Sequence, residues 1–174
     1  MFNEIKTQRL RIRLFKKADL MSFYQYRQDE EVARYQSWQS NTFIEALKAF
    51  KLILQSDFNN SIGTIQLAIE IKNTKTHIGD LYLSIDENHH SFIGYTLSKD
   101  FWGYGYALEA VEALINRLFN FYQVKDIRAY ILPRNIKSLN LIKKLGFQYI
   151  GGIEYCLYKP LPYTNLKIIK ELYP

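Results

Sequence analysis

The stretch "KDFWGYGYALEAVEALINRLF", Lys99 to Phe119, passes without a break from an aromatic loop with two glycines into an amphipathic segment. Apolar residues recur there at helical spacing, which predicts a helix from about Tyr106 to Phe121. Gly103 and Gly105 lack a Cβ atom, so an anion could approach the backbone N–H groups at the start of this helix, where the helix dipole also favours negative charge. The stretch therefore predicts either an anion-binding loop or a tight turn from a strand into a helix.

Two well-known phosphate-binding motifs do not account for this loop. The pattern GxxxxGK followed by Ser or Thr is absent from the sequence. A dinucleotide-binding GxGxxG pattern beginning at Gly103 would place Leu108 where a third glycine is required. The remaining interpretation is a strand, a glycine loop and a helix N-terminus.

The sequence around the loop predicts seven strands and four helices in the order β-α-α-β-β-β-α-β-α-β-β. Asp19 is a candidate cap of the first helix, and Thr42 with Glu45 indicates a capping box at the second. The predicted strands are Arg9–Phe15, Thr64–Lys72, His77–Ile85, Ser91–Leu97, Lys125–Leu132, Phe147–Tyr158 and Thr164–Leu172. The predicted helices are Lys16–Arg27, Thr42–Leu54, Tyr106–Phe121 and Asn135–Leu145.

The composition favours one compact domain. The 174 residues are 48% hydrophobic and 16% aromatic, which is enough to bury a single core, so we expect one domain over residues 1–174. No run of about 18 apolar residues and no signal-peptide pattern occur, which predicts a cytoplasmic protein without a membrane span. Cys156 is the sole cysteine, so we expect no disulfide and no metal site, and we expect Cys156 to be a buried strand residue.

The formal net charge is +6, and the excess lies in the C-terminal part of the chain. From Lys125 to Pro174, nine Lys or Arg residues stand against three Asp or Glu, whereas the preceding residues are balanced. Such a distribution fits a polyphosphate cofactor, a nucleic acid or simply a solvated face, and charge alone does not choose among them.

Two segments carry a resemblance to a known family. The stretch "WGYGYALEAVEAL" and, some thirty residues later, "ILPRNIKSLNLIKKLGF" resemble the acyl-CoA-binding core of the GNAT superfamily of N-acetyltransferases. The chain most resembles the RimJ/RimL-like branch, the ribosomal-protein N-terminal acetyltransferases, because "TQRLRIRLFKKADL" and "DEEVARYQSW" are similar as well. The resemblance covers nearly the whole chain. It implies a mixed α/β (α+β) fold, with a central, mostly antiparallel sheet of about seven strands flanked by helices.

The resemblance also implies acetyl-CoA as the cofactor. The loop from Trp102 to Ala107 would bind the pyrophosphate, with Trp102 where many members have Gln or Arg. Strand Ser91–Leu97 would splay from strand Lys125–Leu132, so that the pantetheine arm could pair with its last residues. The start of the following helix would contact the arm and the thiol, and a lysine would serve the phosphates. The cofactor-binding residues expected in this way are Tyr95, Thr96, Leu97, Trp102, Gly103, Tyr104, Gly105, Tyr106, Ala107, Asn135, Ser138 and Lys143.

Ser138 is the catalytic residue that the resemblance favours. Acyl transfer to an amine needs a neutral amine, a donor for the oxyanion and a proton for the leaving thiolate. A backbone N–H near Leu97 would serve the oxyanion. Many members carry a tyrosine and a carboxylate as acid and base, but Ile142 and Phe92 occupy those positions here, which leaves Ser138 as the thiolate's partner. Candidates for a relayed base, each with a structural role as the alternative, are Asp80, His90 and Glu154.

We therefore expect an N-acetyltransferase that acetylates a primary amine by direct attack in a ternary complex. The acceptor is a protein N-terminus or a small amine such as an antibiotic or a polyamine, and the sequence does not choose. Segment Ala33–Phe43 should cover the acceptor pocket, with Tyr35 and Trp38 as its walls or as ordinary core residues. No membrane or nucleic-acid partner is expected, and the oligomeric state is left open. The alternative function is a non-catalytic acyl-CoA-binding or basic binding module with a degenerate active site.

Overall fold

The computed structural model describes residues 2–38, 42–56, 58–59 and 62–159. They form one sheet with flanking helices, which confirms the predicted fold class. None of the helices in these ranges combines the length and the apolarity needed to cross a membrane. The strands are β1 (Ile5–Lys6), β2 (Leu10–Leu14), β3 (Phe58–Asn59), β4 (Ile62–Ile71), β5 (His77–Ile85), β6 (His90–Leu97), β7 (Asp126–Tyr130), β8 (Gln148–Gly151) and β9 (Glu154–Tyr158). The helices are α1 (Leu20–Gln28), α2 (Glu30–Ala33), α3 (Phe43–Leu54), α4 (Tyr106–Asn120) and α5 (Ile136–Lys144).

The sheet has the strand order β1-β2-β4-β5-β6-β7-β9-β8, with β3 paired to β4. Neighbouring strands are antiparallel except β6 and β7, which are parallel because α4 carries the chain back between them. Only His90–Phe92 of β6 pair with Asp126–Arg128 of β7. The remaining residues of β6, Ile93–Leu97, therefore diverge from β7, as the resemblance implied. In the described part of the chain, this edge of β6 has no partner strand.

Two apolar layers cover the two faces of the sheet. On one face, α4 packs with residues such as Leu114, which is fully buried. On the other face lie α1 and α3, whose Phe23 and Phe50 rings meet edge to face at 5.3 Å. Leu67 and Ala68 are adjacent in β4 but belong to different layers, since successive strand residues point to opposite faces.

A buried arginine ties the start of α1 to the sheet. Arg13 of β2 donates hydrogen bonds to Asp19 at 2.7 and 2.9 Å and to Glu70 of β4 at 2.8 Å. Burial raises the pKa of Asp19, but the hydrogen bonds from Arg13 and from the Lys16 N–H, together with the nearby positive charge, hold the pKa below its ordinary value. Asp19 is the N-cap residue of α1, but its side chain makes no capping hydrogen bond to that helix and instead accepts one from the Lys16 N–H at 2.7 Å. The capping box of Thr42 and Glu45 is confirmed.

The C-terminal strands differ from the prediction. The segment predicted as one strand, Phe147–Tyr158, is a hairpin of β8 and β9. Gly152 has a φ of +57°, a left-handed conformation that glycine adopts at little cost, and this lets the chain reverse. Cys156 is buried in β9, as expected. The strand predicted at Thr164–Leu172 lies outside the described residues.

Helix α2 was missed in the sequence because four residues are too few to show a helical period. The feature that marks its start is the N-cap residue, Asp29. The Asp29 side chain accepts hydrogen bonds from the backbone N–H groups of Glu31 at 2.8 Å and Val32 at 3.4 Å. This cap turns the chain after α1 and directs the following segment over the end of β6.

We expect Gly79→Ala to destabilise the fold because β5 passes very close to β6. A Cβ atom at Gly79 would lie 2.1 Å from the Thr96 carbonyl oxygen and 2.8 Å from Leu97 Cα. Both are backbone atoms, so relief requires the strands to separate, at a cost of about 3 kcal/mol. The control is Gly94→Ala on β6, where the added atom would meet the Tyr82 Cβ at an ordinary 3.5 Å. Urea unfolding measures both variants, and equal stabilities would contradict the prediction.

His77 should make the fold sensitive to acid. Its ring packs against Phe15 at 5.2 Å and shares a hydrogen bond of 2.7 Å with the Ser22 hydroxyl. Burial lowers the pKa of His77 from 6.5 to about 4. Between these values the unfolded chain binds a proton that the folded chain does not, so stability falls as the pH drops from 6.5 towards 4, and this group has no effect above that range.

The loss due to His77 should reach about 3 kcal/mol at pH 4. The measurement is urea unfolding between pH 4 and pH 8 for the unaltered protein and for His77→Gln. We expect a shallower decline in the variant, because the other acid-sensitive groups are common to both proteins. Parallel curves would show that His77 does not carry the effect.

Candidate functional site

A cavity of about 800 Å³ lies where the end of β6 meets the first turns of α4 and α5. The loop before α4 and the segment after Asp29 complete its wall. The structure brings ten of the twelve expected cofactor-binding residues together in this wall. They are Tyr95, Thr96, Leu97, Trp102, Gly103, Gly105, Tyr106, Ala107, Asn135 and Ser138.

The other two expected residues, Tyr104 and Lys143, do not line the cavity. The Tyr104 side chain is exposed, and its carbonyl oxygen accepts a hydrogen bond from Arg9 Nη1 at 2.8 Å. On α5, Lys144 lines the cavity where Lys143 was expected. Consecutive residues of a helix point about 100° apart, so the count of basic residues alone does not identify which lysine faces the wall.

The glycine loop adopts a backbone conformation that other residues rarely reach. Gly103 and Gly105 have φ values of +84° and +78°. A Cβ atom at Gly103 would meet nothing within 4 Å, so its conformation rather than crowding explains the glycine. Gly105 is the N-cap of α4, and no described side chain caps this helix. The first N–H groups of α4 therefore remain available at the cavity wall.

The open edge of β6 presents further backbone groups. Ser98 donates its N–H to the Ile78 carbonyl oxygen at 2.8 Å, which fixes the side on which β6 bonds to β5. Because donors alternate sides along a strand, the Thr96 N–H faces β5, whereas those of Tyr95 and Leu97 face the open side. The wall thus offers an extended backbone to a ligand.

Trp102 joins the loop to both neighbouring elements. Its indole Nε1–H donates to the Leu97 carbonyl oxygen at 2.9 Å, which fixes the loop to the end of β6. The Lys137 ammonium group of α5 lies 4.1 Å from the centre of the indole ring. A tryptophan is therefore suited to a position where the resemblance expects Gln or Arg, because it supports the loop through packing and one hydrogen bond.

The start of α5 combines a cap with a hydroxyl group. Asn135 is the N-cap, and its Oδ1 accepts a hydrogen bond from the Ser138 backbone N–H at 3.2 Å. The Ser138 carbonyl oxygen in turn accepts from the Tyr95 hydroxyl at 3.3 Å. Burial raises the pKa of Tyr95 to about 12, so this hydroxyl stays protonated. Two hydroxyl groups, those of Ser138 and Tyr95, thus belong to residues of the same wall.

Positive charge dominates the cavity wall. Glu31 is the one acidic residue among the described lining residues, and it forms an ion pair with Lys99. In the described ranges, no group of three or more His, Cys, Asp or Glu is arranged to hold a metal ion. The wall is therefore suited to an anion with several charges. The basic lining residues are Arg34, Arg134, Lys137 and Lys144.

Asp80, a candidate relayed base, lies behind the cavity wall. It pairs in register with Thr96, which lines the cavity. Its carboxylate accepts hydrogen bonds from the Tyr26 hydroxyl and, at 2.7 Å, from Gln66 Nε2. Burial raises the pKa of Asp80 and that of Tyr26. The two hydrogen bonds satisfy this carboxylate as a buried structural group.

The other two candidate bases, His90 and Glu154, also lie outside the cavity wall. His90 Nδ1 is 2.6 Å from a carboxylate oxygen of Asp126, next to the short paired region of β6 and β7. Glu154 accepts a hydrogen bond from Arg128 at 3.3 Å. Glu154 thus takes part in an ion pair and His90 in a hydrogen bond, and neither side chain faces the cavity.

A further part of the wall comes from α2 and the residues after it. Tyr35 lines the cavity, whereas Trp38 stacks on the guanidinium group of the buried Arg27 at 4.0 Å. The sequence did not predict that Glu31 and Arg34 line the cavity, because no local pattern of apolar residues marks them. The resemblance of "DEEVARYQSW" was the one signal that pointed to this segment.

Comparison with known proteins gives a consistent result. Residues 9–148 match the acetyltransferase (GNAT) domain family. The uncharacterized N-acetyltransferase p20 of Bacillus licheniformis is 31% identical over 148 residues, covering 83% of this chain and 82% of that protein. A GNAT-family acetyltransferase from Bacillus anthracis has a TM-score of 0.80 at 20% identity, covering 90% and 98% of the two chains. The spermidine N-acetyltransferase of Vibrio cholerae, in complex with CoA and spermine, has a TM-score of 0.72 at 15% identity, covering 87% and 96%. The two structures show a shared fold.

Proposed function

This chain belongs to the acetyltransferase (GNAT) domain family and is an acetyltransferase, and we propose that it transfers an acetyl group from acetyl-CoA to a primary amine in a ternary complex. The observation that carries this proposal is the cavity at the open edge of β6, which combines a helix N-terminus, a basic wall and an extended backbone. We assign residues 1–174 to one N-acetyltransferase domain. The cytoplasmic location expected from the sequence stays a prediction.

The residues present fit acetyl-CoA, which carries phosphate groups at one end and amide groups along its arm. The N–H groups of Tyr106 and Ala107, in the first turn of α4, would bind the diphosphate. Arg134 and Lys144 would bind phosphate charge from their places in the wall. The backbone of Tyr95 would pair with the amides of the arm as an added strand does. Acetyl-CoA supplies the activated thioester, and these residues bind and orient it.

The reaction forms a bond from the acceptor nitrogen to the acetyl carbon, breaks the carbon–sulfur bond and moves one proton from the nitrogen to the leaving thiolate. The Leu97 N–H faces the open side of β6 and would stabilise the developing oxyanion. The Ser138 hydroxyl would donate a hydrogen bond to the sulfur as negative charge builds on it. The Tyr95 hydroxyl, kept protonated by its raised pKa of about 12, lies on the same wall but already donates its proton to the Ser138 carbonyl oxygen, so it would support the start of α5.

We propose a peptide N-terminus as the acceptor, as in the RimJ/RimL-like branch. Glu31 is the sole carboxylate of the described cavity wall, and it would attract the acceptor's ammonium group and take its proton. Four basic side chains outnumber it, so the wall disfavours a polycation such as a polyamine. A small amine that carries a single positive charge is the other acceptor class that the wall accommodates.

A non-catalytic acyl-CoA-binding module is the second candidate. The observation that favours it is the composition of the described cavity wall, to which no histidine contributes. Ile142 and Phe92 also stand where the resemblance expects an acid and a base. Binding without turnover would then be the function of the cavity.

Incubation with acetyl-CoA and a panel of N-terminal peptides, polyamines and aminoglycosides tests the proposal. We expect free CoA and acetylated peptide to appear in equal amounts, both measured by mass spectrometry. Calorimetric binding of acetyl-CoA without any acetylated product would favour the non-catalytic module. If acetyl-CoA does not bind either, both candidate functions are wrong.

Lys144→Ala should weaken CoA binding about threefold at low salt, because it removes a charge from the cavity wall. Lys143→Ala should leave the affinity unchanged. Both lysines are exposed and adjacent on α5, so each variant controls for the general loss of one charge. Titration calorimetry at two salt concentrations provides the measurement. An equal loss in both variants would mean that CoA responds to overall charge rather than to this wall.

Ser138→Ala should lower kcat about tenfold with little change in CoA affinity, because a hydrogen bond that strengthens as the thiolate forms stabilises the transition state alone. A purely structural serine would instead cost about 1 kcal/mol of unfolding free energy and leave turnover normal. Tyr95→Phe keeps the ring and removes the hydroxyl that donates to the Ser138 carbonyl oxygen, so it separates support of α5 from donation to the sulfur. The kcat, the CoA affinity and the melting temperature of each variant decide, and normal turnover of Ser138→Ala excludes the donor role.

A further inference from the structure

We propose that Arg9 is a positioning residue that holds the loop of residues 102–105 and the start of α4 in the conformation that binds a diphosphate. Arg9 lies in the turn between β1 and β2 and does not line the cavity. It would therefore act through the loop rather than by touching a ligand. The inference rests on the proposed function, since the diphosphate is that of acetyl-CoA.

The Arg9 side chain contacts the loop on both sides of Gly105. Its Nη1 donates to the Tyr104 carbonyl oxygen at 2.8 Å, and its guanidinium group stacks on the Tyr106 ring at 4.5 Å. A Cβ atom on Gly105 itself would lie 3.5 Å from Arg9 Nη2. One planar group thus supports the three consecutive residues at which the loop becomes a helix.

The guanidinium group also reaches the first turns of α4. Arg9 Nε donates to one carboxylate oxygen of Glu109 at 2.6 Å, and the Arg9 backbone N–H donates to the other at 2.8 Å. The Thr7 hydroxyl donates to the same carboxylate. Partial burial raises the pKa of Glu109, but the hydrogen bonds from Thr7 and Arg9 outweigh this and lower it, so the carboxylate stays ionised.

An ionised carboxylate near the start of α4 would repel the phosphates of a ligand. Arg9 compensates this charge from the side of the turn, while the helix N-terminus remains available to the anion. The same ion pair therefore fixes the helix and removes an unfavourable charge from its N-terminal end.

The turn that carries Arg9 is itself anchored. The Arg9 carbonyl oxygen accepts a hydrogen bond from the Lys72 N–H at 2.9 Å, and the Thr7 carbonyl oxygen accepts one from Lys72 Nζ at 2.7 Å. The Thr7 N–H also donates to the Leu10 carbonyl oxygen at 3.0 Å. Arg9 therefore extends from a fixed support, which a positioning residue requires.

The loop needs such support because of its glycines. Gly103 and Gly105 both have positive φ values, and glycine has more conformational freedom than other residues when it is not held. A loop that samples several conformations must be ordered when the ligand binds, which lowers the affinity. The Arg9 side chain is 41% exposed, so its ion pair contributes little to global stability. Binding and stability can therefore be separated by experiment.

Arg9→Lys tests the proposal with CoA as the probe. Lysine keeps the charge but lacks the planar fork that contacts the Tyr104 carbonyl oxygen and Glu109 together. We expect the CoA affinity measured by calorimetry to fall about tenfold. The affinity for 3′-dephospho-CoA, which keeps the diphosphate, should fall by the same factor. Arg9→Gln, which also loses the charge, should show a loss at least as large.

Arg128→Lys is the matched control. Arg128 is 42% exposed, pairs with Glu154 and lies outside the cavity wall, so CoA affinity should not change. Melting temperatures of the Arg9 variants should stay within about 4 °C of the unaltered protein, because an exposed ion pair is worth at most about 1 kcal/mol. A greater fall in melting temperature would mean that Arg9 holds the fold as a whole, which overturns the proposal.

Two other outcomes would also overturn it. Equal CoA affinities of Arg9→Lys and the unaltered protein would show that the loop does not depend on Arg9. A loss of affinity for CoA but not for 3′-dephospho-CoA would show that Arg9 serves the 3′-phosphate instead. In both cases the proposed acetyltransferase function stands. Failure of the unaltered protein to bind CoA would instead overturn that function.

Discussion

The site depends on the separation of β6 from β7 after three paired residues. Full pairing would engage the Tyr95 and Leu97 backbone groups within the sheet and close the cavity between β6, α4 and α5. Because β6 leaves β7 early, pairing with β5 alone holds the last residues of β6 in the sheet. Gly79 makes this possible, because without a Cβ atom the β5 backbone approaches Thr96 more closely than any other residue could. One glycine on β5 and the early end of the β6–β7 pairing therefore create the open backbone together.

Perturbed titratable groups often mark functional sites, and Tyr95 of the cavity wall is one such group, but three others lie elsewhere. His77, Asp80 and Tyr26 are buried in the layer of α1 and α3, where burial shifts their pKa values. They pack on the face of the sheet opposite α4 and support the strands there. The cavity wall relies instead on backbone N–H groups, glycine conformation and basic side chains. Such a wall favours binding and orientation, which can supply much of the rate of an acyl transfer.

The sequence predicted features that repeat locally or that a family motif contains. Strand alternation, the amphipathic α4 and the glycine loop were of this kind, and ten expected residues share one wall. The failures involve information that local patterns lack. Helix α2 is too short to show a period, and a turn at Gly152 divides a segment that alternates like one strand. The contact of Arg9 with Tyr104 joins residues 95 apart, which no spacing rule predicts.

The basic residues of the C-terminal part include some that line the cavity and others that bind side chains elsewhere. Arg134, Lys137 and Lys144 line the cavity, so their charges are gathered around one volume. Arg128 is engaged by Asp126 and Glu154, and Lys159 donates to the Gln123 side chain at 2.7 Å. A nucleic-acid surface would present its charges along an accessible stripe. A grouping of charges around a cavity of about 800 Å³ that also contains a helix N-terminus favours a compact polyphosphate ligand instead.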